Sequence, residues 1–126
     1  MKLEFLYTPV KDLKAALALY RDALGWQEAW REGDSTVSLK LPGTEVQLML
    51  VHAESGERVG PIFVVDSVER FHADRPRELV TLEEPQEIPG GFIATYEDTS
   101  GNPIYVMDQA LESSGAEAGA SGAEAG

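Results

Sequence analysis

The chain has no cysteine among its 126 residues, which rules out disulfide bridges and thiolate metal ligation together. No apolar run approaches the ~20 residues that a membrane-spanning helix needs. The opening Met1-Lys2-Leu3-Glu4 lacks the basic and apolar regions of a signal peptide. Basic residues are scarce: 10 Lys and Arg against 22 Asp and Glu leave a formal charge of -12. That surface repels phosphate backbones and anionic lipid while attracting cations, so a cytoplasmic protein is expected, with neither nucleic acid nor membrane as a partner. Also missing are a Gly-x-Ser-x-Gly elbow, a Ser with a recognisable His partner, and a phosphate-cradling glycine loop. Nucleophilic catalysis and nucleotide binding therefore have no residues to rest on, and no catalytic residue is assigned.

What is present is a pattern that occurs twice. Leu3 to Val10 is apolar and β-compatible, and Asp12 can cap a helix over Leu13 to Leu24. Along that segment Leu13, Ala16, Leu17, Tyr20 and Leu24 recur at helical spacing, with Lys14, Ala18 and Arg21 opposite, and Gly25 ends it. Three strands are predicted next, Trp26 to Glu32, Thr36 to Leu41 and Glu45 to Val51, parted by turn residues. Trp26 and Trp30 would share a face of the first of them.

After a polar loop the order begins again. Ile62 to Val65 reads as a buried strand, and Asp66 or Ser67 can cap a short helix carrying Val68 and Phe71. A strand over Leu79 to Leu82 is followed by an expected loop from Glu83 to Pro89. The last two strands, Phe92 to Tyr96 and Ile104 to Met107, flank a polar knot that closes a hairpin. In the second arm, alternation sends Tyr105 and Met107 to one face and Ile104 and Val106 to the other.

The two units start about 55 residues apart. The expected fold is α+β, two βαβββ modules forming a cleft between curved mixed sheets, in one domain over 1–111 with modules at about 1–53 and 60–109. From Glu112 onward the chain holds only Gly, Ala, Ser and Glu. It buries too little to offset its ordering entropy, so 112–126 is expected to be a flexible tail.

Two stretches carry a family resemblance. Tyr7-Thr8-Pro9-Val10-Lys11-Asp12-Leu13 runs into Ala16-Leu17-Ala18-Leu19-Tyr20-Arg21-Asp22-Ala23-Leu24-Gly25-Trp26, and far along the chain stands Glu97-Asp98-Thr99-Ser100-Gly101-Asn102-Pro103-Ile104. Together, around a repeated βαβββ unit, they resemble the vicinal oxygen chelate superfamily of glyoxalase I, bleomycin resistance proteins and extradiol dioxygenases. The resemblance covers about residues 3 to 109 and is closest in character to the metal-free drug-binding members.

Enzymes of that family hold a divalent metal on four strand residues with lone pairs to give. Carried over one by one, those positions fall here on Phe5, Gln47, Gly60 and Tyr105. Phe5 and Gly60 offer no ligand atom, while Gln47 and Tyr105 offer only weak oxygens. His52 and His72 have no second strong donor at ligand spacing, and Glu69 with His72 reads as a surface pair. No metal and no cofactor are expected.

The same alternation sends Tyr7, Met49 and Met107 to the side of those four positions. An aromatic, thioether-rich binding face is thus expected from Phe5, Tyr7, Trp30, Gln47, Met49, Tyr105 and Met107. The resemblance implies a metal-free protein that binds and sequesters an aromatic or cationic antibiotic or metabolite, often as a homodimer. The alternative is a lyase, isomerase or dioxygenase of the same superfamily with a non-standard or absent metal site, Tyr105 or Tyr7 serving as acid where it is metal-free.

Overall fold

In the computed structural model the described residues are 1–54 and 56–108, so the low-complexity tail lies outside them. They divide into two compact units, Leu3–Pro61 and Ile62 onward, the latter taking in Met1 and Lys2. Element order is βαβββ in each unit, and the fold class is α+β.

The first unit contains β1 (Lys2–Val10), α1 (Leu13–Leu17), β2 (Glu28–Glu32), β3 (Thr36–Lys40) and β4 (Gln47–His52). Its strand order is β2-β3-β4-β1, with the first and last strands parallel and the other pairs antiparallel. Because β1 and β4 run in the same direction, no tight turn can join them; the chain leaves through α1 and returns by β2 and β3. Asp12 caps α1 by accepting from the Ala15 amide at 3.0 Å. One face of the sheet meets this helix: Val37, Leu39 and Leu50 are fully buried there, with Leu17, Leu6, Leu13 and Tyr20 packed around them. Each such side chain contributes about 1.5–3 kcal/mol on burial.

The helix departs from the expected Leu13–Leu24 α-helix. After Leu17 the backbone widens into a π-helical segment, Ala18–Ala23, closed by the Leu24 amide on the Leu19 carbonyl at 2.9 Å. The wider winding turns Leu24 away from the core, where α-helical spacing would have set it, and it is 53% exposed. Gly25, at φ 80°, then reverses the chain.

The second unit repeats the plan with β5 (Gly60–Val65), α2 (Val68–Asp74), β6 (Val80–Ile88), β7 (Gly91–Glu97) and β8 (Pro103–Asp108), β5 starting two residues before the division. Its order is β5-β8-β7-β6, again with first and last strands parallel. Val68, Ala94, Tyr96 and Val106 form its core, with Phe71, Val65 and Ile104 beside them. Asp108 ties three elements together: its carboxylate accepts from the Val68 amide at the start of α2 and from the Phe92 amide of β7, at 3.3 and 3.1 Å.

The expected loop from Glu83 to Pro89 is instead most of β6. Glu83, Glu84, Pro85 and Glu87 are poor strand formers, but β6 ends the strand order and bends through two register shifts. An edge strand tolerates charge and a missing N–H that an inner strand would not.

The β7–β8 hairpin is closed by Asp98, which accepts from the amides of Ser100 and Asn102 and from the Asn102 side chain. Those bonds, the Asn102 amide foremost, hold the Asp98 carboxyl below the ordinary Asp value. A lowered folded pKa contributes stability above the unfolded pKa and loses it as pH falls through the folded one. The stability gap between the parent chain and Asp98→Asn, read by urea unfolding, is expected to hold from neutral pH down to the ordinary Asp range and to close below it. Asp108→Ala, which strands two amide donors, is expected to cost about 2 kcal/mol in the same measurement.

Candidate functional site

Strand alternation decides which side chains of the first unit face away from α1. In β1 these are Phe5 and Tyr7, paired in register with Gln47 and Met49 of β4. In β3 they are Ser38 and Lys40, opposite Met49 and Gln47, and in β2 Trp30 stands opposite Ser38. Five sequence-predicted site residues, Phe5, Tyr7, Trp30, Gln47 and Met49, therefore share one face. Trp26 does not share it. The residues after Gly25 precede β2 and the pairing slips between Glu28 and Trp30, so Trp26 stacks on Tyr20 with ring centroids 5.2 Å apart. The expectation that both tryptophans lie together is thus corrected.

The centre of the face is the carboxamide of Gln47. Its Oε1 accepts from the Trp30 indole Nε1 at 2.9 Å and from the Ser38 hydroxyl at 2.7 Å. An indole N–H can only donate, so the amide atom facing it must be the oxygen. Ser38 is fully buried and needs this partner; Trp30 stays 37% exposed. The Phe5 ring meets the Trp30 ring edge to face, centroids 6.1 Å apart at 85°. Ser38 and Lys40 were not foreseen as site residues. The signal was available, because the Thr36–Lys40 alternation that buries Val37 and Leu39 against the helix puts Ser38 and Lys40 on the other side.

In the second unit Tyr105 and Met107 also face away from the helix, opposite Val106 and Ile104, as alternation predicts. Their cross-strand neighbours are Ile62 and Val64 in β5 and Thr95 and Ile93 in β7. The Thr95 hydroxyl donates to Glu83 at 3.2 Å. On the helix side, His72 does not pair with Glu69 as expected. Its Nδ1 lies 2.8 Å from the buried Tyr96 hydroxyl and its Nε2 3.2 Å from Glu84 Oε1, because α2 packs its His72 side onto β7. Burial pushes the Tyr96 phenol up, and Arg75, its guanidinium carbon 6.0 Å from the ring centre, opposes that.

Three of the four carried-over positions do not fit a metal, and the fourth, Tyr105, brings only a phenol oxygen. Phe5 has no donor atom, Gly60 has no side chain, and the Gln47 oxygen already holds two hydrogen bonds. Among the described residues no three His, Cys, Asp or Glu side chains cluster at ligand distance. His52 does have an acidic neighbour two residues on, contrary to expectation, with Nε2 3.0 Å from Glu54 Oε2, yet this is a pair at a strand end and nothing more.

A doubled βαβββ topology defines a class of small α+β proteins rather than a chemistry. Residues 3–106 match the glyoxalase/bleomycin resistance protein/dioxygenase superfamily, and the chain belongs to it. Among solved structures, a Legionella pneumophila protein described as an NAD-dependent benzaldehyde dehydrogenase is 15% identical at a TM-score of 0.69, over 82% of this chain and 96% of its own. A superfamily member from Vibrio splendidus is 17% identical at 0.60, over 83% and 97%. A Mycobacterium tuberculosis methylmalonyl-CoA epimerase is 18% identical at 0.60, over 86% and 88%. At these identities the likeness is one of fold. No curated protein matches the chain.

Gln47→Ala would free Trp30 and leave the Ser38 hydroxyl buried without an acceptor. The expected cost is about 1–3 kcal/mol by urea unfolding, with a red-shifted Trp30 emission in a Trp26→Phe background.

Proposed function

We propose that this protein is a metal-free binder that sequesters a small aromatic or cationic antibiotic or metabolite. The observation that carries this reading is Gln47, which stands where the family resemblance puts a metal ligand and spends its oxygen on Trp30 and Ser38. What that face presents beside Gln47 is an aromatic edge, Phe5 against Trp30, with half-buried Tyr7 further along β1 and Met49 buried opposite it. Such a surface takes a flat molecule by stacking and burial, and lowering its free concentration requires no bond to be made or broken. Tyr105 and Met107 extend the same proposal to the second unit. It acts as a cytoplasmic homodimer without nucleic acid or membrane as partner; no helix among the described residues is long and apolar enough to cross a bilayer.

The alternative is a lyase, isomerase or dioxygenase of the superfamily, and the fold likeness to a methylmalonyl-CoA epimerase is what speaks for it. Elemental analysis of protein purified without chelator separates the two: substoichiometric transition metal is expected, and one equivalent per chain would overturn the binder. Thermal-shift screening against aromatic and cationic antibiotics should find concentration-dependent stabilisation, about 2.7 kcal/mol at a hundredfold excess over Kd. Phe5→Ala is expected to weaken that binding about tenfold.

A further inference from the structure

Resting on the binding reading above, the geometry assigns Gln47 as a fixed hydrogen-bond donor, and so selects an aromatic ligand that carries a carbonyl or carboxylate oxygen. A free glutamine presents donor and acceptor with equal ease. Here the acceptor end is held by two donors, one of which, the Trp30 indole, cannot reverse its role. The amide plane then fixes the NH2 group on the other side of Cδ. Its two hydrogens meet no acceptor among the described residues, and the side chain is only half-buried. Flipping the amide would set its NH2 against the indole N–H, which can only donate, so the donor orientation is kept without a ligand.

The charge beside Gln47 points the same way. Its direct cross-strand partners are Phe5 and Lys40, and neither is acidic. Lys40 is exposed, makes no ion pair among the described residues, and lies on the same face by register. The net negative charge of the chain is thus not carried by the residues paired directly with Gln47. An ammonium would face a lysine and the positive end of an amide dipole; an oxygen would face two donors. Phe5 and Trp30 supply the aromatic contact beside them. Of the two ligand types in the binding proposal, the aromatic one with an oxygen acceptor fits, and the cationic one does not.

Four naphthalene probes test this by equilibrium dialysis with chelator present: acetylnaphthalene, its hydrocarbon counterpart ethylnaphthalene, naphthoate and naphthylmethylammonium. Acetylnaphthalene is expected to bind about tenfold tighter than ethylnaphthalene, naphthoate at least as well, and the ammonium most weakly. Gln47→Glu keeps an acceptor for Trp30 and Ser38, so it retains the support of the face while losing the donor. It should erase the acetyl-over-ethyl preference, and Lys40→Gln should remove any advantage of naphthoate over acetylnaphthalene. Equal binding of the acetyl and ethyl probes, a preference that survives Gln47→Glu, or the ammonium binding tightest would overturn the inference and leave the binding reading standing. No binding of any probe would overturn both.

Discussion

The parallel pairing of the first and last strands in each unit is the constraint from which the rest follows. Parallel neighbours cannot be joined by a tight turn, so in both units the chain must leave by a helix and come back through an antiparallel pair. The helix has one apolar stripe and can cover one face of its sheet. Period-two alternation then divides every strand into residues that meet the helix and residues that do not. Val37, Leu39, Leu50, Tyr96 and Val106 fall on the helix side and are fully buried. Phe5, Trp30, Gln47 and Tyr105 fall on the other, without any further instruction.

That division separates the residues that hold the fold from those on the opposite face, which are free to differ. The helix-side residues hold the fold, and substitutions on the opposite face leave them untouched. In the first unit the face away from the helix has its own order: a buried serine, an indole and a phenyl ring arranged around one carboxamide. An unpaired buried hydroxyl costs free energy, and Ser38 avoids that cost only through Gln47. The bond that satisfies Ser38 also occupies the oxygen of Gln47, so the support of the face and the orientation of the amide are set together.

Much of this was legible along the chain. The spacing of Leu13, Leu17 and Tyr20, the caps at Asp12 and Ser67, and the turn chemistry of Asp98 to Asn102 mark elements that form where local signals say. The misses have physical causes. β6 was hidden because glutamate and proline signal a loop, whereas an edge strand accepts both. Leu24 was assigned to the core by a 3.6-residue period that the backbone abandons after Leu17. The pairing of His72 with Tyr96 and Glu84 joins residues far apart in sequence, and no local pattern announces it.

The sequence by itself determined most of the element order and which face Phe5, Tyr7, Gln47, Met49, Tyr105 and Met107 take, because period, capping and side-chain chemistry are local properties. Tertiary structure decided the rest. Only cross-strand register could bring Ser38, Trp30 and Gln47 within hydrogen-bond reach, and only the one-way donor character of an indole N–H, once seated there, could fix which way round the amide sits.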